Sequence, residues 1–253
     1  MCYDDQAVPP SPPGNGGSAH GEDIVLAAGD GNRFSAYIAH PDRPGRAQVI
    51  IYPDVRGLHN FYKELALRYA EVGITALAID YFGRTAGLTS RAEPFDFMPH
   101  VQHMTLPTFF ADVSAGLAYL RSGAGAQRAT FTTGFCMGGT LSFYSGTQDF
   151  GFAGLIGFYS GFTRAFAGAK GPLLEQAVHI KYPVLGLYGG SDQAITREQI
   201  ETFDTALDKA GVEHEIVVYP GAPHSFFDRR AAEYAEASAD SWKRVLGFVA
   251  AHS

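Results

Sequence analysis

The sequence predicts an α/β domain: a mostly parallel central sheet flanked by helices, with an antiparallel hairpin at its N-terminal end. Three observations carry this. Short apolar runs without polar alternation recur along the chain, namely AQVIIYP, GITALAID, RATFTTG, FAGLIGFY and PVLGLYGG. Strands read this way when helices cover both of their faces. Stretches with an amphipathic helical period separate the runs, and such alternation makes parallel strand pairs with right-handed crossovers. The exception is the first pair, EDIVLAA and RFSAYIAH, which only a GDGN turn separates, as in a hairpin at a sheet edge.

Taken in order, residues 1–20 (MCYDDQAVPPSPPGNGGSAH) hold too few apolar side chains to offset the entropy of ordering, so a loose arm is expected, followed by one domain over residues 21–253. After AQVIIYP, Asn60 is placed to cap FYKELALRYAEV. In that helix Phe61, Leu65, Tyr69 and Val72 form the apolar stripe, Lys63, Glu64, Arg68 and Glu71 face water, and Gly73 ends the last turn. Further helices are expected at about 106–121, 138–148, 196–210 and 229–250. The stretch from Gly83 to Met104 has no clean period, and irregular segments of that length are usually functional loops or lids.

Composition narrows the function. The chain has 253 residues, 46% of them hydrophobic, and a formal net charge of −7 with no lysine- and arginine-rich window. Nucleic acid and acidic membrane surfaces would gain no electrostatic attraction from it. No apolar run is long enough to span a bilayer, and MCYDDQAVPP lacks the basic-then-apolar order of a secretory signal, so a cytoplasmic location is expected. Of the two cysteines, Cys2 sits at the frayed start and Cys136 in a tight glycine turn, which argues for a free thiol over a disulfide.

Sites in parallel sheets form beyond the C-terminal ends of the strands, which singles out PDVRG, FGR, GFCMGG, GGSD and GAPH. GFCMGG fits the nucleophile-elbow pattern G-x-Nu-x-G with Cys136 as nucleophile, after a strand and at the start of a helix. Gly134 and Gly138 leave room where side chains would collide, Gly139 lets the helix approach the sheet, and the helix N-terminus favours thiolate over thiol. The bland alternative is a small buried cysteine in a glycine turn. Partners decide between them. In this chain order the base comes last, after the final strand, where His224 stands in EIVVYPGAPHSFF; the other eight histidines fall on the arm, helices or surface turns. The orienting acid follows the penultimate strand, where PVLGLYGGSD supplies Asp192. Asp192 could instead cap the helix ITREQIETF, a role not expected to coexist with the first.

These motifs, with YPDVRGLHNF and AIDYFGR, resemble the dienelactone hydrolases over most of the chain from about Asp23 onward. The resemblance implies the α/β-hydrolase fold and a Cys136–His224–Asp192 triad. It also implies an oxyanion hole from the amides of Val55 and Met137, and no metal or cofactor. It further implies that the substrate is a small lactone bearing a carboxylate, with Arg84 matching one of the arginines that grip that carboxylate. Arg229 in SFFDRR is displaced from the expected place of the second. Family members commonly carry a glutamate, which holds the resting thiol, where this chain has Asp54, one methylene shorter.

The expected chemistry is covalent hydrolysis of a lactone or carboxylic ester through a thioester. A general carboxylesterase or thioesterase of the same fold remains an alternative, as does a non-catalytic binding relative. A metal site built on His100 and His103 of PHVQH is a third reading, with no nearby carboxylate set to complete it. Tyr81, Phe82, Phe95, Phe97, Phe226 and Phe227 are candidates for an apolar pocket or for plain core. Homo-oligomerisation is left open.

Overall fold

A computed structural model describes residues 6–14, 16–92 and 94–253, so Cys2 and the start of the expected arm lie outside the described residues. Eight strands form one sheet: β1 (Ala19–Ala27), β2 (Arg33–Pro41), β3 (Ala47–Tyr52), β4 (Thr75–Ile79), β5 (Ala129–Phe135), β6 (Gly154–Phe158), β7 (Val184–Gly189) and β8 (His214–Tyr219). Their spatial order is β1-β2-β4-β3-β5-β6-β7-β8. The β1–β2 and β2–β4 pairs are antiparallel and all others parallel. This is the expected hairpin on an otherwise parallel sheet. Strand order reverses direction at β3 and β5, and in sheets of this kind ligands bind beyond the C-terminal ends of the strands at such a switch point.

The longer helices are α1 (Asn60–Glu71), α4 (Leu106–Leu120), α5 (Met137–Ser145), α7 (Arg197–Ala210) and α8 (Ala235–Ala251), with short α2 (Gly83–Ala86), α3 (Met98–His103) and α6 (Leu173–Gln176). Rings tie them into two layers. Tyr69 of α1 meets Trp242 of α8 at 4.9 Å on one face, while Phe143 of α5 stacks on Phe203 of α7 at 5.4 Å on the other. Between these layers β3, β4, β6 and β7 are buried along their whole length, which is why they read as unbroken apolar runs. Among the described residues no helix is long and apolar enough to cross a membrane.

Four expectations change in detail. Asn60 is the first residue of α1, not its cap; His59 holds the cap position, and the Asn60 side chain instead donates to Glu64 Oε1 at 2.7 Å. The last helix begins at Ala235, because the chain after His224 first runs through turns that bury Asp228. The described part of residues 6–18 is tied down: Pro9 and Pro12 are buried, Trp242 Nε1 donates to the Pro10 carbonyl at 2.8 Å, and the Gly17 amide donates to the Glu71 carbonyl. The segment from Gly83 to Met104 contains two short helices, α2 and α3, and is pinned by a buried arginine, Arg91.

Candidate active site

The elbow is built from backbone. Cys136 adopts φ 54° and ψ −115° between β5 and α5, and its amide donates to the Phe158 carbonyl at 3.0 Å, tying the turn to the end of β6. A Cβ on Gly134 would stand 2.1 Å from the Gly138 carbonyl oxygen, and one on Gly138 would stand 2.1 Å from the oxygens of both Tyr52 and Pro53. No backbone tolerates that approach, so both positions demand glycine. The second contact also draws the start of α5 against the end of β3. The two expected backbone donors lie on the segments that this contact joins, Met137 at the first turn of α5 and Val55 just beyond β3. Neither amide is used in a hydrogen bond among the described residues. The arrangement suits a developing oxyanion.

Asp192 and His224 meet. His224 Nδ1 donates to Asp192 Oδ2 at 2.7 Å, with the carboxylate buried and the imidazole partly open to solvent. The other carboxylate oxygen, Oδ1, accepts from the amides of Ala194 at 2.8 Å and Ile195 at 3.2 Å. Holding a turn and orienting a histidine therefore do coexist, one oxygen for each, while Thr196 and Gln199 form the capping box of α7. Burial pushes the Asp192 carboxyl up. The hydrogen bond and charge of His224, with the two amides, outweigh that and hold it below its ordinary range. Its two parent loops are drawn together at Gly189, where a Cβ would lie 2.4 Å from the Ala222 carbonyl oxygen.

A bed of tyrosines lies beneath. The Tyr159 ring sits 4.8 Å from the His224 ring, and its hydroxyl donates to the buried Asp228 Oδ2 at 3.0 Å. Burial, then Asp228, Asp54 and Cys136, push the Tyr159 phenol far up, so it remains a neutral donor. Tyr81 is raised by burial and by the charges of Asp54, Asp80 and Cys136, and its hydroxyl donates toward the carbonyls of Pro53 and Asp54. The Asp54 amide donates to Tyr62 Oη at 3.0 Å, and Asp54 Oδ1 accepts from the Arg56 amide at 2.9 Å. Asp54 Oδ2 is buried without a hydrogen-bond partner, and Oδ1 lies 3.7 Å from Nε2 of the equally buried His59. Three non-glycine residues among those described have positive φ: Cys136, Tyr159 at 38° and Ser225 at 61°. All three belong to this site, where strained backbone is characteristically retained for function.

Other expected residues are placed differently. Arg84 faces carboxylates of its own chain: Asp30 at 2.6 Å, Asp112 at 2.8 Å and, through the same guanidinium, the Thr108 carbonyl at 3.2 Å. It ties the start of α2 to the hairpin turn and to α4. Arg229 is exposed. His100 Nδ1 pairs with Thr85 Oγ1 at 2.9 Å and its ring stacks on Phe95, whereas His103 Nδ1 faces the Pro99 carbonyl. Phe226 and Phe227 belong to the core, as do Tyr81 and Phe82, while Phe95 and Phe97 are half-buried. Sequence reasoning missed Tyr62, Tyr159 and Asp228. The run FDRR after His224 is the only local signal, since an acid next to two arginines gives no hint that it turns inward.

Comparison with known proteins agrees with this architecture. A Yersinia pestis protein named "Putative carboxymethylenebutenolidase" is 28% identical over 241 residues, covering 92% of this chain and 88% of its own length. One of the same name from Saccharolobus solfataricus is 27% identical, covering 90% of this chain and 98% of its own. A crystal structure from Klebsiella pneumoniae, described as "Putative Dienelactone Hydrolase", superposes with a TM-score of 0.80 at 26% identity, over 92% of this chain and 99% of that one. Residues 34–253 match the dienelactone hydrolase family, and the chain belongs to that family of hydrolases.

Proposed function

We propose that the protein hydrolyses a lactone or carboxylic ester through a Cys136–His224–Asp192 triad. The observation that carries this is the 2.7 Å bond from His224 Nδ1 to the ionised, buried Asp192, at the same C-terminal edge of the sheet as a cysteine held at positive φ on a strand–helix elbow. Asp192 fixes the tautomer that leaves His224 Nε2 as the base. The Cys136 sulfur, having given its proton to Nε2, attacks the carbonyl carbon, and the oxyanion is received by the Val55 and Met137 amides. The carbon–oxygen bond of the ester then breaks, the imidazolium returns the proton to the leaving oxygen, and a thioester remains. A water deprotonated by His224 attacks the thioester, releasing the acid and the thiol. Asp54, with an unsatisfied carboxylate oxygen in the same buried cluster, is the group that holds the resting thiol in this reading.

The relatives' name points to a carboxylated butenolide lactone as substrate. A second reading, a carboxylesterase or thioesterase indifferent to a substrate carboxylate, is favoured by Arg84, whose charge is already met by Asp30 and Asp112. A panel of lactones and esters with and without a carboxylate separates the two: a preference for charged substrates that disappears in Arg84→Ala supports the first, and equal turnover supports the second. The triad itself is tested by Cys136→Ala and Asp192→Asn. The first should abolish turnover and trapped thioester by mass spectrometry, and the second should lower kcat by about a hundredfold or more with the fold unchanged. Ester turnover that survives Cys136→Ala would overturn the proposal.

A further inference from the structure

At the opposite end of β8 from His224, three side chains outside the catalytic apparatus converge. Asp204 and Asp208 stand one turn apart on the last two turns of α7, and His214 opens β8. His214 Nε2 lies 3.2 Å from Asp204 Oδ1 and 3.9 Å from Asp208 Oδ1, and one donor atom from each of the three falls within 4.8 Å of the others. From these contacts we infer a divalent transition-metal site, of the class that takes imidazole with carboxylate and water, such as Zn²⁺ or Co²⁺.

The imidazole is set up as a ligand. Its Nδ1 faces the Val212 carbonyl at 2.7 Å and must carry the proton there, which fixes the ring and presents Nε2 to the carboxylates. Histidines that bind metals are held in this way by a carbonyl or carboxylate behind them. The ring is largely buried, with its side chain 11% exposed, whereas Asp204 and Asp208 are 45% and 74% exposed. One ligand is therefore rigid and two can close on an ion. Two ligands that share such a metal at about 2.0–2.2 Å sit about 3–3.5 Å apart, so the observed spacings need only side-chain rotation.

The surroundings favour a cation over any anion. Among the acids of residues 201–215 (ETFDTALDKAGVEHE), Glu201 pairs with Arg197, Glu215 with Arg244 and Glu213 with His252, whereas Asp204 and Asp208 meet no lysine or arginine among the described residues. The C-terminal end of α7, closed by Gly211 in the left-handed conformation, directs its negative dipole end to the same place. Asp204 and Asp208 repel each other as a like-charged i,i+4 pair. A proton on Nε2 can bridge only one of their oxygens at a time, whereas a metal ion bonds both. The oxygen donors with one imidazole exclude the soft-metal chemistry of thiolate sites and suit Zn²⁺, Co²⁺ or Ni²⁺ better than Ca²⁺. The five residues of β8 after His214 put the site about 17 Å from the catalytic end of the strand, so its effect is to staple α7 to the sheet edge.

The test uses full-length protein carrying Cys2→Ala and Cys136→Ala, which removes both thiols as competing ligands, stripped with a chelator and dialysed. Titration calorimetry with Zn²⁺ should give one site per chain with micromolar affinity, and a hundredfold excess over Kd should raise Tm by several degrees. Co²⁺ should give visible absorption of a carboxylate–imidazole site. His214→Gln and the pair Asp204→Asn/Asp208→Asn, whose metal-free Tm verifies folding, should each weaken binding at least tenfold. In the wild-type background the same substitutions should leave ester turnover unchanged. No heat and no Tm shift with Zn²⁺, or a site that persists unweakened in His214→Gln, would overturn the inference.

Discussion

The elbow around Cys136 and the segment from Gly83 to Met104 both press on the loop that follows β3, and they are held by opposite means. At the elbow, backbone meets backbone, with Gly138 against the carbonyls of Tyr52 and Pro53. In the segment, charge does the holding. Arg91 Nη2 donates to Asp80 Oδ2 at 2.6 Å in a fully buried pair, and Asp80 Oδ1 accepts from the Leu58 and Phe82 amides. Arg56 in turn donates to the Arg91 carbonyl at 3.0 Å. One side of the loop after β3 is thus fixed by shape and cannot respond to conditions. The other is fixed by ionisable groups and can.

Shape gives the largest effect. Gly134→Ala sets a methyl carbon 2.1 Å from the Gly138 oxygen and 2.7 Å from the Gly139 nitrogen, neither of which can move without dismantling the elbow. The variant is expected to be unrecoverable in folded form, or to unfold in urea with a loss of at least about 5 kcal/mol and no ester turnover. Near-normal activity would show that the elbow is softer than its contacts indicate.

Charge comes next. Burial pushes the Asp80 carboxyl up, and the charge and hydrogen bonds of Arg91 only partly offset it. Arg91→Met should therefore cost about 3–5 kcal/mol, because it leaves a buried carboxylate without its cation. Adding Asp80→Asn should recover much of the loss. A double-mutant cycle with no coupling would show that the segment is held by packing alone, for instance by Phe95, over which the Arg91 guanidinium lies at 4.9 Å.

The two regions also differ in how far the sequence reveals them. The elbow, the acid after β7 and the histidine after β8 are legible because each requirement is local: a glycine two residues away, a strand before, a helix after. Asp192 and His224 are 32 positions apart, yet chain order alone pairs them. Arg84 is the contrary case. Its partners Asp30 and Asp112 are 54 and 28 positions away, and nothing near YFGR announces them. Tyr62 and Tyr159 are hidden for the same reason, since a tyrosine in an apolar run reads as core until its hydroxyl's partner is known. The short helices α2 and α3 lack a clean period because tertiary contacts, the Arg84 and Arg91 ion pairs and the His100–Thr85 contact, hold their segment in place rather than an amphipathic face.

The smallest effect sharpens the contrast through pH. Asp112 is buried on α4, accepts from Asn32 at 3.0 Å and from Arg84 at 2.8 Å through Oδ1, and leaves Oδ2 buried without a hydrogen-bond partner. Burial outweighs these bonds and pushes its carboxyl up to about 6, while the unfolded chain titrates near 3.9. A raised carboxyl binds its proton more tightly when folded, so its contribution to stability is full below about pH 4 and is lost as pH climbs through 6. Asp112→Asn keeps an acceptor for both donors and removes the titration. Compared by urea unfolding, the wild type should hold its advantage at pH 4.5 and give up roughly 2 kcal/mol of it by pH 7.5. Groups that do not interact with Asp112 cancel in that difference, and Asp30, which the Arg84 hydrogen bond holds below its ordinary range, stays ionised across that pH range. A difference that does not vary with pH would mean that Asp112 is ionised throughout and that the Arg84 cluster is an ordinary ion pair. This side of the loop after β3 would then be insensitive to pH as well.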